Sequence, residues 1–571
     1  MKNKNKIFIS LTILILIFSL SLSGVKSQTI YIDNATSYNQ SGLSLSEQIQ
    51  SIIDNASEGD TINFLGNLYR DLTLTININL NIITNIGTTI INSNYNSPLN
   101  TIFFINGSSA SNTTVSGFNL INDITNGNII TINNTENIKI HNNSMSANNS
   151  AVDVDKSSNI TINNNNIHNS DKGFYGKNSQ KITIENNTIE YNNEGIYLEN
   201  VNNTTINNDS LNNNKNGISL KNTKKIDIQN NNITKNNNGI YLNNTENTQI
   251  FYNDIINNTN SGILTESSLK NLNITKNNLS RNLYGIYLNS SDNSGLSIKS
   301  NSINKNYDGL SFGKGYVDSK SKDISSNDIS QNIGKDIESK DSNYDGNLEV
   351  GANWYGANEY GFTGICPRLS TGLIQFNFVS SGNGVYIGTF TYDGKIISDL
   401  PLMHLFVAVN GDKRWVTIEN GKILLDFGSD FDEKNAGSII ETYLSNQIAK
   451  LTIESKKKSI NENPIFTSNS KDNGGKGNGG AGGGYKTSNT NGDGINHGGA
   501  SGDIKSLADA GTSSSGDMVS AQSPQGKEIN IDNFNLVKMD DTRFLIFCII
   551  LLLFGSIITG YIYKKRGKIR L

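Results

Sequence analysis

The chain has 571 residues, with 47 Lys and Arg against 51 Asp and Glu, for a formal net charge of −4. That balance is too mild to argue for nucleic acid as a partner or for an anionic surface. Two cysteines, Cys366 and Cys548, leave no pair for a disulfide within the exported part, and charged residues make up only 17%, so stability has to come from a packed core.

In chain order, Lys2, Lys4 and Lys6 precede an apolar run over 7–22 and a small-residue segment ending at Ser27. This is the pattern of a secretory signal peptide, residues 1–27. Residues 28–60 read as an N-terminal cap. Leu45, Ile49, Ile52, Ile53 and Ala56 recur at helical spacing behind Ser44 or Ser46 as N-cap, which predicts a short amphipathic helix able to cover the end of a longer structure.

From 61 to 365 the chain repeats itself. Asn-Ile160-Thr-Ile162-Asn-Asn-Asn-Asn-Ile167 returns as Lys-Ile182-Thr-Ile184-Glu-Asn-Asn-Thr-Ile189 and Lys-Ile226-Asp-Ile228-Gln-Asn-Asn-Asn-Ile233. Between these copies lie Gly195-Ile-Tyr-Leu198, Gly217-Ile-Ser-Leu220, Gly239-Ile-Tyr-Leu242 and Gly285-Ile-Tyr-Leu288. The period is about 22 residues, drifting to about 25, which is the range of solenoids. Apolar residues alternate within each half, so each is a short strand with one buried face. Asn and Gly tolerate left-handed backbone geometry and suit the corners. About twelve stacked coils give a rod of roughly 55–60 Å at the strand spacing. The Asn clusters are expected to form hydrogen-bonded ladders rather than a sugar-binding stripe. Trp354 and Tyr355 close the far end.

This repeat resembles the right-handed parallel β-helix of pectin-lyase-like proteins. The resemblance implies a fold that hosts lyases, glycosidases, epimerases and non-catalytic adhesins, and does not choose among them.

Residues 366–455 lose the Asn density, and strand-like runs lengthen at 373–379, 385–392 and 405–409. Asn410-Gly411 and Asn420-Gly421 predict hairpin turns. The expectation is an immunoglobulin-like β-sandwich acting as a spacer, with Trp415 in its core. Residues 456–541 are rich in Gly, Ser and Asn and predict a flexible tether. Residues 542–563 are apolar enough to span a bilayer, and the basic tail 564–571 stays on the cytoplasmic side. Sequons such as those at Asn159, Asn186, Asn232 and Asn273 dot the rod.

Chemistry is sparse. Asp153, Asp155, His168 and Asp171, with Lys172 or Tyr175 nearby, are the best acid–base candidates, and they read as solvated surface. No catalytic set, metal site or cofactor is expected. A different column stands out: Tyr175, Tyr197, Ser219, Tyr241, Leu264, Tyr287 and Ser311 occupy one outward position of successive coils, and Tyr175, Tyr197, Tyr241 and Tyr287 could form a platform for sugar rings.

The whole layout looks like that of the adhesin-like surface proteins of methanogenic archaea. That resemblance implies a membrane-anchored cell-surface protein that binds extracellular or cell-surface polysaccharide, or another cell surface. A polysaccharide-modifying enzyme and a non-binding envelope element are the alternatives.

Overall fold

The computed structural model describes residues 27–33, 42–93, 100–340, 348–359 and 369–455. The segments expected to be signal peptide, tether, membrane helix and basic tail, and both cysteines, lie outside the described residues. Among the described residues no helix is long and apolar enough to cross a membrane.

The repeat folds as a parallel solenoid with three strands per coil. Strands of the Gly-Ile-x-Leu type, such as Lys172–Lys177 and Glu194–Glu199, form a first column. The Ile-Thr-Ile strands, such as Ser158–Asn163 and Gln180–Glu185, form a second. Both belong to one 23-stranded sheet, while short strands such as Asn166–His168 and Thr188–Glu190 form a third column in an 11-stranded sheet. Pairing is in register from coil to coil, and the alternation places the same apolar residue inward each time. Ile162, Ile184, Ile206, Ile228, Ile250, Ile274, Ile298 and Ile324 sit directly above one another, all buried. One coil could not bury these side chains alone; the neighbouring coil does it.

Asparagine divides its labour within each Asn-Asn pair. The first residue turns the chain: Asn164, Asn186, Asn208 and Asn230 have φ between 55° and 58°. The second points inward. Asn165 N–H donates to Asn187 Oδ1 (2.9 Å), Asn187 N–H to Asp209 Oδ1 (2.7 Å) and Asn231 N–H to Asn253 Oδ1 (3.0 Å). The Asn amides also donate to a backbone carbonyl of the preceding coil, and several to one of their own coil, as Asn187 does to Ile162 O and Glu185 O, both at 3.0 Å. This ladder continues to Asn353, and a second one follows Asn192, Asn214, Asn236, Asn258, Asn282 and Asn306. The inward Asn side chains of the corners thereby find most of their hydrogen-bond partners within the stack.

Glycine behaves differently from its expected role as a corner residue. Gly195, Gly217, Gly239, Gly262 and Gly285 are not among the residues with positive φ. They open the first-column strand where the next coil comes close. A Cβ on Gly239 would lie 2.6 Å from Gly262 O and 2.7 Å from Ile255 Cγ2.

Both ends of the rod are closed. Helix Leu45–Asp54 begins at Ser44, whose hydroxyl and Glu47 form a reciprocal capping box. Ile49 and Ile53 face the core. Ser46, the other N-cap candidate, instead bonds both the carbonyl and the N–H of Thr73 (2.9 Å each) and ties the lid to the coil beneath.

At the far end the chain enters two four-stranded antiparallel sheets. One contains Gln375–Gly382, Val385–Tyr392, Lys395–Ile396 and Lys422–Asp426; the other contains Met403–Val409, Asp412–Ile418, Ile439–Leu444 and Gln447–Thr452. Their inner faces share one core, including Phe376, Phe378, Tyr386, Leu405, Val407 and Ile440. The sandwich expectation holds in that coarse form. Asn410-Gly411 makes its hairpin, with both residues at positive φ. Asn420-Gly421 also has positive φ and makes its tight turn, closed by an antiparallel bridge between Glu419 and Lys422 (N–H to carbonyl at 3.2 and 3.0 Å), although the strands that continue from it lie in different sheets. Trp354 does more than close the rod. It is fully buried in the sandwich core against Phe390 (5.2 Å, edge to face), while Tyr355 is buried in the rod core.

Candidate functional site

The first strand column carries the most organised polar surface. Register places Asp153, Tyr175, Tyr197, Ser219, Tyr241, Leu264, Tyr287 and Ser311 in one line. The line faces outward, but its tyrosines are only half-exposed, and Ser219 and Ser311 are buried. The cause lies in the neighbouring residues. Two places further along each strand, a second line runs Asp155, Lys177, Glu199, Lys221, Asn243 and Glu266, and these long side chains lean over the rings.

The contacts are specific. Tyr175 and Tyr197 stack at 5.2 Å with 17° between their planes. Tyr175 Oη donates to Glu199 Oε2 (3.2 Å) and Tyr241 Oη to Glu266 Oε2 (2.6 Å). Lys221 pairs with Glu199 at 2.8 Å, and Lys177 lies 5.1 Å over the Tyr175 ring. Glu194 accepts hydrogen bonds from Ser219 Oγ and from Asn216 Nδ2. Burial, and then the Glu199 carboxylate, push the Tyr175 phenol up to about 12. Burial likewise raises Tyr197, Tyr241 and Tyr287. The phenols thus stay protonated and act as hydrogen-bond donors. Glu199 is held below the usual carboxylate range, first by its bond from Lys221.

The acid–base candidates separate. Asp153 shares the tyrosine line, with Lys177 Nζ at 3.6 Å and Asn128 Nδ2 at 3.4 Å, and burial raises its carboxyl. Asp171 lies on the turn before Lys172–Lys177 and is taken up by Lys172 (2.5 Å) and Asn193 (3.0 Å). Asp155 accepts from Asn178 Nδ2 at 3.0 Å. His168 ends a third-column strand, beside Ser144 and Asn169, and does not join Asp153. Sequence reasoning missed Lys177, Glu199, Lys221 and Glu266. The signal was present, because 177, 199 and 221 share the 22-residue step.

Trp415, expected in the sandwich core, is 70% exposed. Ile418 and Val416 share one parity of the strand Asp412–Ile418 and turn inward, so Trp415 turns outward. It lies against Phe406, at 5.1 Å between ring centroids.

A family model described as a periplasmic copper-binding protein (NosD) matches residues 105–283, and one described as a right-handed β-helix region matches residues 216–378. The chain thus carries a right-handed parallel β-helix. Comparison with curated proteins gives no match. Among solved structures it is similar to the Dettilon tailspike protein, at 11% identity over 75% of this chain and 92% of that one, with a TM-score of 0.34. It is also similar to an exopolygalacturonase from Thermotoga maritima, at 9% identity over 67% and 91%, with a TM-score of 0.37. The periplasmic alginate epimerase AlgG is similar at 15% identity over 60% and 83%, with a TM-score of 0.29.

Copper belongs to the description of the first family and does not fit the described residues of this chain. No three His, Cys, Asp or Glu side chains converge among them. His141 and His168 end strands of different columns, and Met145 is buried in the core. Soft or imidazole ligands at bonding distance from one point are what copper requires.

Proposed function

We propose that this protein is an adhesin-like cell-surface protein that holds an extended polysaccharide along the line of Tyr175, Tyr197, Tyr241 and Tyr287. The in-register tyrosine line, flanked by a second line of Glu, Lys and Asn, carries this reading. From Tyr175 to Tyr287 it spans five coil steps, about 24 Å at the strand spacing. Because Tyr175 and Tyr197 stack on each other, they offer a sugar their edges and hydroxyls more than their faces. Recognition is then chiefly by hydrogen bonds from phenols, carboxylates and amides to sugar hydroxyls. The signal-like N-terminus, the Gly-rich stretch and the apolar segment 542–563 support display on a membrane tether, with other cells or host polysaccharide as partners and no nucleic acid.

A fragment of residues 28–455 is incubated with a panel of microbial and host polysaccharides, and retained glycan and released fragments are read by mass spectrometry. Saturable retention without cleavage is the expected result. Tyr197→Ala with Tyr241→Ala lowers affinity about tenfold or more; unchanged binding removes the tyrosine line from the account. The second reading is a polysaccharide-modifying enzyme. One observation favours it: Asp153, its carboxyl raised by burial, sits in register with Tyr175 and beside Lys177. New chain ends that vanish in Asp153→Asn would establish it.

A further inference from the structure

Where the rod meets the sandwich, a cleft of about 1390 Å³ opens on the third strand column, away from the tyrosine line. Its floor is the outer face of the last short strands, with Ser280, Ser302 and Asn304. Its walls differ in character. On the sandwich side Trp415, Phe406 and Tyr443 stand directly opposite one another across three adjacent strands, with ring centroids 5.1 and 5.7 Å apart. Trp415 and Tyr443 line the cleft, together with Leu402, which is 61% exposed.

The rod side is cationic. Lys276 leads into the strand Asn278–Ser280, Arg281 follows it, and Lys305 follows Ser302–Asn304. All three are exposed, and none has an ion-pair partner among the described residues. Lys276 Nζ donates to Tyr252 Oη (3.0 Å), and that half-exposed ring adds an aromatic on the rod side. Two acids line the same space. Asp328 is buried, accepts from Ser330 Oγ (2.5 Å) and feels the charge of Lys305, so two acids, Asp328 and Glu419, face three cations that form no ion pair among the described residues.

An outward aromatic row is costly in water, and three cations without an ion pair among the described residues leave positive charge unanswered. One kind of occupant relieves both. A sugar chain presents flat apolar ring faces to aromatic side chains, and carboxylate or sulfate substituents answer Lys and Arg through charge-assisted bonds. We propose that this cleft is a second glycan site, selective for an anionic polysaccharide. It stands on residues other than those of the tyrosine line.

The cleft contains its own reporter. Of the chain's two tryptophans, Trp354 is fully buried and Trp415 is 70% exposed, so acrylamide quenching reads Trp415. The full-length protein is titrated with an oligogalacturonate, a heparin-derived oligosaccharide and neutral dextran. At least one anionic probe protects Trp415 from quenching and dextran does not; the two anionic arms distinguish carboxylate from sulfate. Arg281→Gln with Lys305→Gln weakens that binding about tenfold or more, and added salt weakens it further. Tyr197→Ala with Tyr241→Ala leaves the protection of Trp415 unchanged, which separates this site from the tyrosine line. Protection by neither anionic probe, equal protection by dextran, or indifference to the Arg281 and Lys305 changes would overturn the proposal.

Discussion

Asp209 occupies a rung of the inner ladder that asparagine fills on either side. Its Oδ1 accepts from the N–H and the side-chain amide of Asn187, at 2.7 and 2.9 Å. Its Oδ2 is buried without a partner. One coil along, the equivalent atom is Asn231 Nδ2, which donates to Ile206 O and Asn253 Oδ1. The Asp209 oxygen therefore stands where the ladder needs a donor, and only a protonated carboxyl provides one. Burial pushes its pKa up to about 7, against the bonds from Asn187. An acid whose folded pKa is raised holds its proton more firmly when folded. Its stabilising contribution is full below the ordinary value near 3.8 and is lost as pH rises toward 7. Asp336, pushed to about 7, and Asp328, pushed to about 6, are raised chiefly by burial and act with the same sign. Asp209→Asn restores the donor at every pH. It should stabilise the rod at pH 8 by on the order of 1–3 kcal/mol and much less at pH 4. Urea unfolding of both proteins at the two pH values checks this, and an equal gain at both would sink the protonation argument.

The coil, as an element, depends on how closely its copy can approach. Carbonyl oxygens of the next coil lie 2.5–2.6 Å from where a Cβ would stand on Gly195, Gly217, Gly239, Gly262 or Gly285. Gly239→Ala should cost about 1–3 kcal/mol through forced separation of two coils, read as a lowered midpoint in chemical denaturation. A cost near zero would mean that the stack yields freely there. This is where sequence reading reached its limit. Alternating Ile182 and Ile184, repeated every 22 residues, fixed the strands and the inward face, because only a strand has period two. The tyrosine line followed from the same register. The repeat glycines were misread as corners, since one residue type serves both positive φ and close approach, and spacing cannot tell these uses apart. The Asn-Asn pairs hid their division of labour for the same reason. The half-burial of the tyrosines arises from Lys177, Glu199 and Lys221 on the adjacent line, a lateral relation that no single strand displays.

At the scale of the whole described molecule, rod and sandwich share a joint made by consecutive residues. Asn353 ends the ladder, Trp354 enters the sandwich core and Tyr355 stays in the rod. Around them Asn358 bonds the N–H and carbonyl of Phe376 (2.7 and 2.8 Å), and its own N–H donates to Gln447 Oε1 (2.9 Å). Trp354 Nε1 reaches Ser445 Oγ at 3.4 Å. A side chain of this size, fully buried in a small two-sheet core, contributes most of what a single residue can. Trp354→Ala should destabilise the sandwich by about 3–5 kcal/mol, while the rod, whose stacked isoleucines it does not touch, keeps its own stability. Trp415 is then the only tryptophan and reports the sandwich alone, whereas far-ultraviolet circular dichroism is dominated by the longer rod. In the variant the fluorescence transition should move to lower temperature than the circular-dichroism transition. If the two still move together, the rod also depends on the sandwich, and the joint is a single cooperative unit. The same variant loosens the wall that carries Trp415, so anionic-glycan protection of that residue should weaken with it, while binding along the tyrosine line, on a different strand column, persists.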